Sequence, residues 1–348
     1  MTVSLIAFSQ NGANVMDAIA RCLSERGETV LDTYLLHEKS SAQPSLQEWT
    51  KHAFCGDAVV FVGACGIAVR SIAPLIRDKL EDPAVICVDE RGQFVIPLLS
   101  GHVGGANALA ATIAKAIGGI PVITTATDVQ NKFAVDTWAK DYGLHLCERQ
   151  YAKELSAALL DNRTVGVFSD FLIDGSLPDG MAAADSGDLG LCVSWDTQVQ
   201  PFLHTLHAVP QTVTVGVGCR RNVSVEAFER TVLECLRQNH IAIEAVASLA
   251  TIDLKSEEPC IRAFCEKYRL PLVTASAQTL AAVEGEFTAS AFVGQVTGVD
   301  NVCERAAVLA GGGALIFRKQ SRDAVTVAAS SPDCRVCFGS RRKEYTYE

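Results

Sequence analysis

The sequence has no long uninterrupted run of apolar residues. Its longest apolar stretches have the length of a β-strand and are broken by glycine, proline or charge, although 49% of the 348 residues are hydrophobic. A membrane-spanning helix needs about 20 consecutive, predominantly apolar residues. The sequence therefore predicts no membrane span, and we expect no membrane partner.

An excess of positive charge is also absent. The chain carries 30 Lys and Arg against 40 Asp and Glu, a formal net charge of -10. Nonspecific binding of nucleic acid requires a broad basic surface, and the short basic run Arg341-Arg342-Lys343 is too small to supply one. We expect no nucleic-acid partner, and we expect these three residues to form a solvated end.

The first ten residues, MTVSLIAFSQ, lack the pattern of a targeting signal. They contain no basic segment followed by an apolar core and a small-residue cleavage site. The run is instead typical of a first β-strand. We therefore expect a cytoplasmic protein.

The 13 cysteines follow no regular frame. Cysteines scattered among predicted strands and helices are typical of small buried thiols in a reducing compartment. Only Cys334 and Cys337 have the spacing of metal ligands, and one such pair supplies half of a tetrahedral site. We expect no metal bound by the protein itself.

A chain of 348 residues is longer than one hydrophobic core usually serves. Strand-like and helical patterns alternate from residue 3 onward, which predicts an α/β fold. We expect a Rossmann-like or flavodoxin-like N-terminal domain, a small middle region and a second α/β domain at the C-terminal side. The predicted limits are 1–138, 139–210, 211–332 and a tail of 333–348.

One stretch organises the first domain. The apolar run 94–99 ends in the turn Ser100–Gly105, and an alanine-rich helical pattern follows to residue 117. Glycines let backbone amides approach a ligand closely, and the first N–H groups of a helix favour negative charge. His102 lies inside this turn and could act as a base or an acid beside those donors. Alternatively, His102 caps the turn by a hydrogen bond to its backbone.

A second glycine turn follows the apolar run 58–62. It begins at Gly63 and Gly66 and leads into a helix that contains Arg70. The segment lacks the Gly-Lys-Ser/Thr ending of a phosphate loop and the dinucleotide fingerprint. The sequence therefore predicts no ATP or NAD site.

Three loops of the first domain follow predicted strands, at 63–70, 100–107 and 124–132. Ligands of open α/β sheets bind outside the carboxyl ends of the strands. We therefore expect the three loops to meet at one cleft, where Thr124, Thr125 and Asp128 would offer hydroxyls and a carboxylate. The alternative for Asp128 is a helix cap.

A third glycine turn opens the last domain. It follows the strand-like run 213–217 and carries Arg220 and Arg221, with Ser224 in the N-cap position of a helix over 225–238. These arginines are candidate contacts for a ligand, and the alternative is that they are ordinary surface charges.

Several runs of the chain resemble a known family. The runs GACGIAVRSIAPLIRDK, DPAVICVDERGQFVIPLLSGHVGGANALA, PVITTATD and NKFAVDTWA are similar to the cobalamin biosynthesis protein G family, the cobalt-precorrin-5A hydrolases. Residues 214–221, 252–258 and 325–328 resemble the C-terminal domain of that family. The resemblance spans nearly the whole chain and is weaker in the middle region; residues 334–348 add nothing to it.

The resemblance implies a reaction of anaerobic cobalamin biosynthesis. The ring-A acetate δ-lactone of a cobalt-bearing tetrapyrrole is opened, and a methylated bridging carbon is lost as acetaldehyde to give cobalt-precorrin-5B. Cobalt would arrive within the substrate, so no separate cofactor is expected, and transient contact with neighbouring pathway enzymes is expected. The alternative is a carrier that binds the corrinoid intermediate without chemistry.

This reaction gives the candidate residues their expected roles. His102 would activate water, the amides of Gly104 and Gly105 would hold the oxyanion, and Asp128 would orient His102 or handle the second proton. The wide substrate leads us to expect Gly104 and Arg220 on opposite walls of one cleft. The residues expected to bind substrate lie in or near the glycine turns: Gly63, Gly66, Arg70, Ser100, Gly101, Gly104, Gly105, Asn107, Thr124, Thr125, Lys132, Gly218, Arg220, Arg221 and Lys255.

Overall fold

Apolar strands and the helices that cover them form three main β-sheets in a computed structural model that describes residues 1–36, 44–78, 81–289 and 300–339. Contacts divide the chain into two compact units, which in their described parts are residues 1–137 and 138–339. The basic run Arg341-Arg342-Lys343 lies outside the described residues. The limits of the four predicted segments stay a prediction.

The first unit contains a six-stranded sheet in the order β2-β1-β3-β4-β5-β6. Strands β1 to β4 are parallel, β5 runs antiparallel to β4, and β6 is parallel to β5. The order 2-1-3-4 is that of a flavodoxin-like sheet, as the sequence predicts. The strands are β1 Thr2–Ala7, β2 Thr29–Leu35, β3 Ala58–Val62, β4 Ala84–Val88, β5 Phe94–Leu99 and β6 Ile120–Pro121.

Both faces of this sheet are covered by helices. Strands β3 and β4 are buried at every residue, which explains their continuous apolar sequences. One face packs against a cluster that includes Ile19 and Ile113, and the other against a cluster that includes Trp49. The helices of this unit are Gln10–Glu25, Leu46–Ala53, Cys65–Ile72, Ala106–Ile117 and Ala126–Val129.

The direction of β5 corrects one expectation about the site. A short turn at residues 89–93 makes β4 and β5 a hairpin, in which Val88 pairs with Val95 and Val85 with Leu99. Residues 100–107 therefore leave the sheet beside the start of β4, whereas residues 63–70 follow the end of β3. The expectation that the loops 63–70, 100–107 and 124–132 meet at one cleft is wrong. The hairpin places the first two loops at opposite ends of the strands.

The second unit begins with a five-stranded sheet in the order β10-β8-β11-β12-β7. Its strands are parallel except β7, which runs antiparallel to β12. The helix Arg149–Leu160 packs on β8, β11 and β12. The strands of this sheet are β7 Leu144–Leu146, β8 Val165–Ser169, β10 Met181–Ala183, β11 Gly187–Val193 and β12 Phe202–Pro210. Strand β9 Leu172–Asp174 lies between β8 and β10 in the sequence and belongs to a separate two-stranded sheet.

A further five-stranded sheet has the order β15-β14-β13-β17-β16. Strands β13 to β15 are parallel, whereas β16 and β17 form an antiparallel hairpin at the other edge. The strands are β13 Val213–Cys219, β14 Val246–Ile252, β15 Leu272–Ala275, β16 Ala314–Arg322 and β17 Val325–Ser331. The helices are Val225–Gln238, Pro259–Tyr268, Ala277–Ala281 and Cys303–Gly311.

The segment predicted as a tail contributes a short strand, β18 Arg335–Cys337, which pairs in parallel with β9. Trp138 stacks on Phe338 with ring centroids 5.0 Å apart, and its indole N–H donates to the carbonyl oxygen of Cys337. Cys334 and Cys337 thus belong to packed structure rather than to a frayed end. All thirteen cysteines are free thiols, and only Cys55 is exposed.

No helix within the described ranges is long and apolar enough to cross a bilayer.

Gly216 in β13 shows how closely the helix Cys303–Gly311 packs on its sheet. A Cβ atom at Gly216 would lie 1.9 Å from the carbonyl oxygen of Cys303 and 2.8 Å from the backbone nitrogen of Ala307. Both are backbone atoms and cannot move aside without displacing the helix. The glycine is therefore required by packing in the core of this sheet.

We expect Gly216→Ala to lower the free energy of unfolding by about 2–3 kcal/mol, because overpacking forces the helix away from the strand. Chemical denaturation followed by circular dichroism measures the change. Gly56→Ala is the matched control, since its Cβ would meet neighbours at ordinary distances of 3.4 Å or more. Equal stability of the two variants would contradict the close packing of helix on strand.

Candidate functional site

The turn Ser100–Gly105 is held by its own backbone. The N–H of Gly105 donates to the carbonyl oxygen of His102, that of Ala106 to Ser100, and that of Asn107 to Gly101. Gly105 has a φ of +85°, and the helix Ala106–Ile117 follows it directly. This compact turn places His102 just beyond the end of β5.

The ring of His102 contacts the next loop of the same unit. Its Nε2 lies 2.8 Å from Oδ2 of Asp128 and 3.1 Å from Oγ1 of Thr127. The amide of Asn107 donates to the same Asp128 oxygen at 2.9 Å and to Oγ1 of Thr125 at 3.0 Å. The predicted loops 100–107 and 124–132 therefore do meet, through side chains that the sequence analysis selected.

Neither alternative explanation accounts for these contacts. Asp128 lies inside the helix Ala126–Val129 rather than at its N-cap, which is Thr125. The His102 ring is bonded to side chains of another loop, and its own turn closes through backbone atoms. His102 and Asp128 thus bond to each other, while Thr127 also contacts the His102 ring and Asn107 also donates to Asp128.

Asp136 is a carboxylate that the sequence analysis missed as a site residue. Its Oδ1 lies 3.7 Å from Nδ1 of His102, on the opposite side of the ring from Asp128. The residue belongs to the run NKFAVDTWA, which was quoted only as part of a resemblance. An acidic residue within ten positions of Asp128 was the available signal.

Two carboxylates make His102 strongly basic. The hydrogen bond with Asp128, followed by the contact with Asp136, raises the pKa of His102 to about 9, although burial opposes the rise. The same contact lowers the pKa of Asp128, with the Asn107 amide as a smaller cause. At neutral pH the site is therefore an imidazolium between two aspartates, and not the neutral imidazole that the sequence analysis expected to activate water.

Packing explains two of the glycines in the turn. A Cβ at Gly104 would lie 2.3 Å from Cβ of Ser100, and one at Gly101 would lie 2.8 Å from Oδ1 of Asn107. Gly101 and Gly104 therefore permit the turn to close on Ser100 and Asn107. The N–H of Gly105 donates within the turn, to the carbonyl oxygen of His102. The expectation that amides near Gly104 and Gly105 hold an oxyanion stays a prediction.

Other predicted residues of the first unit lie apart from this cluster. Gly63 is buried and packs against the ring of Phe8, and its N–H donates to Val88. The guanidinium of Arg70 folds back over Gly66 and is exposed. Gly63, Gly66 and Arg70 therefore lie at the end of the strands opposite to the His102 turn. Nearer to His102, Lys132 donates its backbone N–H to Thr127, and Thr124 is exposed.

The second unit contains a cavity of about 760 Å³. Four residues predicted to bind substrate line it: Gly218, Arg220, Arg221 and Lys255. The hairpin β16–β17 adds Lys319 and Arg322, which the sequence analysis missed. The expectation that Gly104 and Arg220 face one cleft stays a prediction.

Within the described residues, one group of side chains has the spacing of metal ligands: Cys219, Glu258 and Cys260. Its donors are engaged elsewhere, because Glu258 accepts from the Lys255 ammonium at 2.8 Å and from the N–H of Asn222. Burial also raises the pKa of the Cys219 thiol to about 12. The described structure thus shows two thiols beside a salt bridge between Glu258 and Lys255.

The pKa of His102 predicts how stability depends on pH. A raised pKa means that the folded protein holds the proton more tightly, so the stabilisation is complete below pH 6.5 and is lost as pH rises through about 9. After allowance for solvent screening at the partly exposed Asp128, we expect a loss of about 1–2 kcal/mol. Urea denaturation between pH 6 and pH 10 measures it.

His102→Asn serves as the comparison, because asparagine does not titrate in this range. The difference in unfolding free energy between the two proteins should shrink as pH rises. A difference that stays constant with pH would show that the pKa of His102 is the same in the folded and the unfolded protein.

Comparison with known proteins agrees with the resemblance. Three family models match: Cobalamin synthesis G N-terminal over residues 48–128, Cobalamin biosynthesis central region over 133–210, and Cobalamin synthesis G C-terminus over 213–330. Together they cover most of the chain.

Two curated relatives carry the same name. A cobalt-precorrin-5A hydrolase of Salmonella typhimurium is 36% identical over 283 residues, which cover 78% of this chain and 80% of the relative. A cobalt-precorrin-5A hydrolase of Priestia megaterium is 29% identical and covers 78% of each chain. A crystal structure of a cobalamin biosynthesis protein G homolog from Sulfolobus solfataricus covers 95% of this chain and 97% of its own, at 20% identity and a TM-score of 0.41. The family models and the Salmonella relative place this chain in the cobalamin biosynthesis protein G family.

Proposed function

We propose that this protein is a cobalt-precorrin-5A hydrolase, which opens the ring-A acetate δ-lactone of its substrate and releases acetaldehyde to give cobalt-precorrin-5B. The names of the curated relatives support the substrate. The observation that carries the chemistry is the imidazole of His102 between Asp128 and Asp136. Acids and bases held within hydrogen-bond reach of each other suit a reaction with two successive proton transfers.

In the first step water adds to the lactone carbonyl and the ring C–O bond breaks. A carboxylate of the pair accepts a proton from water, and the imidazolium of His102 donates one to the departing oxygen. The raised pKa of His102 supports the acid role at neutral pH. The N–H of Gly104 is the candidate donor to the carbonyl oxygen while it carries negative charge.

In the second step the newly freed hydroxyl loses its proton and the adjacent carbon-carbon bond breaks. His102, neutral after the first step, accepts that proton and returns to its resting state. The conjugated macrocycle takes the electron pair of the broken bond and then receives a proton from the carboxyl group that was protonated in the first step, which thereby returns to a carboxylate. The detached methylated carbon leaves as acetaldehyde. One histidine thus serves first as acid and then as base.

The macrocycle carries many carboxylates, and a protein of net charge -10 must attract them locally. The lining of the cavity in the second unit supplies such a place through Arg220, Arg221 and Lys255. We keep the residues around His102 as substrate contacts too, from Ser100 to Asn107 and from Thr124 to Lys132. Cobalt is part of the substrate in this proposal.

The test against a carrier is turnover. Purified protein incubated with cobalt-precorrin-5A should release acetaldehyde over many cycles, which a hydrazone trap quantifies. A carrier would instead bind the pigment in a one-to-one ratio and release no aldehyde, and that result would overturn the hydrolase proposal.

We expect His102→Asn to lower kcat about 10²–10⁴-fold, since asparagine can neither donate nor accept the transferred proton. The KM should change little, because the substitution removes the group that transfers protons and leaves the other expected substrate contacts in place. Acetaldehyde release by folded protein measures both constants. His52→Asn, on an exposed helix position of the same unit, is the control.

Near-normal turnover by folded His102→Asn would assign His102 a structural role. The acid–base function would then move to a carboxylate, with Asp128 as the first candidate.

A further inference from the structure

Strand β16 contains irregular pairing where it borders the cavity of the second unit. Leu315 pairs with Ser330 and Gln320 with Val327, so β16 has more residues between these points than β17 has. Bulges of this kind remove residues from the ladder, free their backbone N–H groups and turn their side chains to new directions. Lys319 lies in the bulged segment.

The freed backbone of Lys319 is held by a buried carboxylate. Oε1 of Glu304 accepts the N–H of Lys319 at 2.7 Å, and Oε2 accepts the N–H of Thr288 at 2.8 Å. Glu304 has no exposed surface, and its own N–H donates to Oδ1 of Asn301. Burying a carboxylate is costly unless donors satisfy it, and here two backbone N–H groups do so. The backbone at Lys319 is therefore fixed.

The side chain of Lys319 lines the cavity. Its ammonium makes no hydrogen bond or ion pair with any residue that the structure describes, whereas its positive charge opposes the burial that raises the pKa of Cys303 to about 11. Cys303 lines the same cavity. The Lys319 ammonium is half-buried, faces the cavity and has no partner among the described residues, so it can bind an anion there.

The rest of the lining has a matching character. Its one carboxylate, Asp323, is already paired with Arg230 at 2.9 Å. Four other cations line the cavity, and the remaining wall is largely apolar. The cations are Arg220, Arg221, Lys255 and Arg322, and the apolar residues include Ile252, Leu254, Val302 and Val325. Excess positive charge beside apolar surface suits an organic anion better than an inorganic one.

We propose that Lys319 is a carboxylate-binding residue, that Glu304 positions it, and that the cavity takes a large apolar ligand bearing several carboxylates. Insofar as that ligand is the tetrapyrrole substrate, the inference rests on the proposed function. The binding of the anion itself requires only the cavity and its cations.

Uroporphyrin III, a porphyrin with eight carboxylates, tests the site without turnover. Titration of the full chain, followed by the porphyrin absorption band, gives the affinity. Lys319→Gln should weaken binding about tenfold, and Lys319→Arg should stay within about threefold of the unaltered protein. Lys267→Gln removes the same charge from the same unit outside the cavity and should have little effect.

The role of Glu304 is tested by a double-mutant cycle. Glu304→Gln should weaken porphyrin binding in the unaltered protein but have little further effect in the Lys319→Gln background, because its influence passes through Lys319. A general loss of packing would weaken binding in both backgrounds, and that result would overturn the positioning role.

Two results would overturn the binding role of Lys319: unchanged affinity in folded Lys319→Gln, or an equal loss in Lys267→Gln. The proposed function fails separately. If the unaltered protein binds uroporphyrin through Lys319 yet releases no acetaldehyde from cobalt-precorrin-5A, the cavity stands and the hydrolase does not. If the protein releases acetaldehyde but Lys319→Gln leaves the KM unchanged, the hydrolase proposal holds and the substrate-binding role of Lys319 fails.

Discussion

The contact between His102 and Asp128 sets the character of the first unit's site. It joins the turn Ser100–Gly105 to the helix Ala126–Val129, and Asn107 reinforces it from the following helix. The contact depends on a turn tight enough to bring the ring across, which is why Gly101 and Gly104 cannot carry side chains there. The glycines of this turn suggested ligand binding, but the structure shows that they are required first for packing. The packed turn then brings His102 to Asp128.

Much of the first unit was predictable from local pattern. Strands β3 and β4 are buried on both faces and have continuous apolar sequences, and the helix Ala106–Ile117 ends at Gly118 as expected. The direction of β5 was not predicted, because apolar runs in parallel and antiparallel strands can look alike. The connection at residues 89–93 is so short that it can join only antiparallel strands. Applied consistently, that rule would have separated the Gly63 turn from the His102 turn.

The second unit shows where sequence reasoning stops. Arg220 and Arg221 were selected because they adjoin a glycine turn, and both line the cavity. Lys319 had no such signal, since its position depends on irregular pairing in β16 and on a buried glutamate distant from it in sequence. Bulges and long-range hydrogen bonds to backbone leave little trace in composition or periodicity. The charge environment of His102 was missed for the same reason: Asp136 enters it through tertiary structure.

The candidate sites of the two units differ in the sign of their charge. The site of the first unit is rich in carboxylates, and the cavity of the second is rich in cations. Around His102 the carboxylates outnumber the cation, so the site stabilises a proton and suits transfer of that proton to a substrate. Among the residues that line the cavity beside Lys319, the cations outnumber the one carboxylate, Asp323, which is itself paired with Arg230, so the cavity suits retention of an anion. A surface with net negative charge repels a polycarboxylate, but salt largely screens this repulsion at distances beyond about 10 Å. Affinity then depends on the local cations of the cavity. Lys319 is the clearest of them, because a buried carboxylate fixes its backbone while its ammonium makes no hydrogen bond or ion pair with any residue that the structure describes.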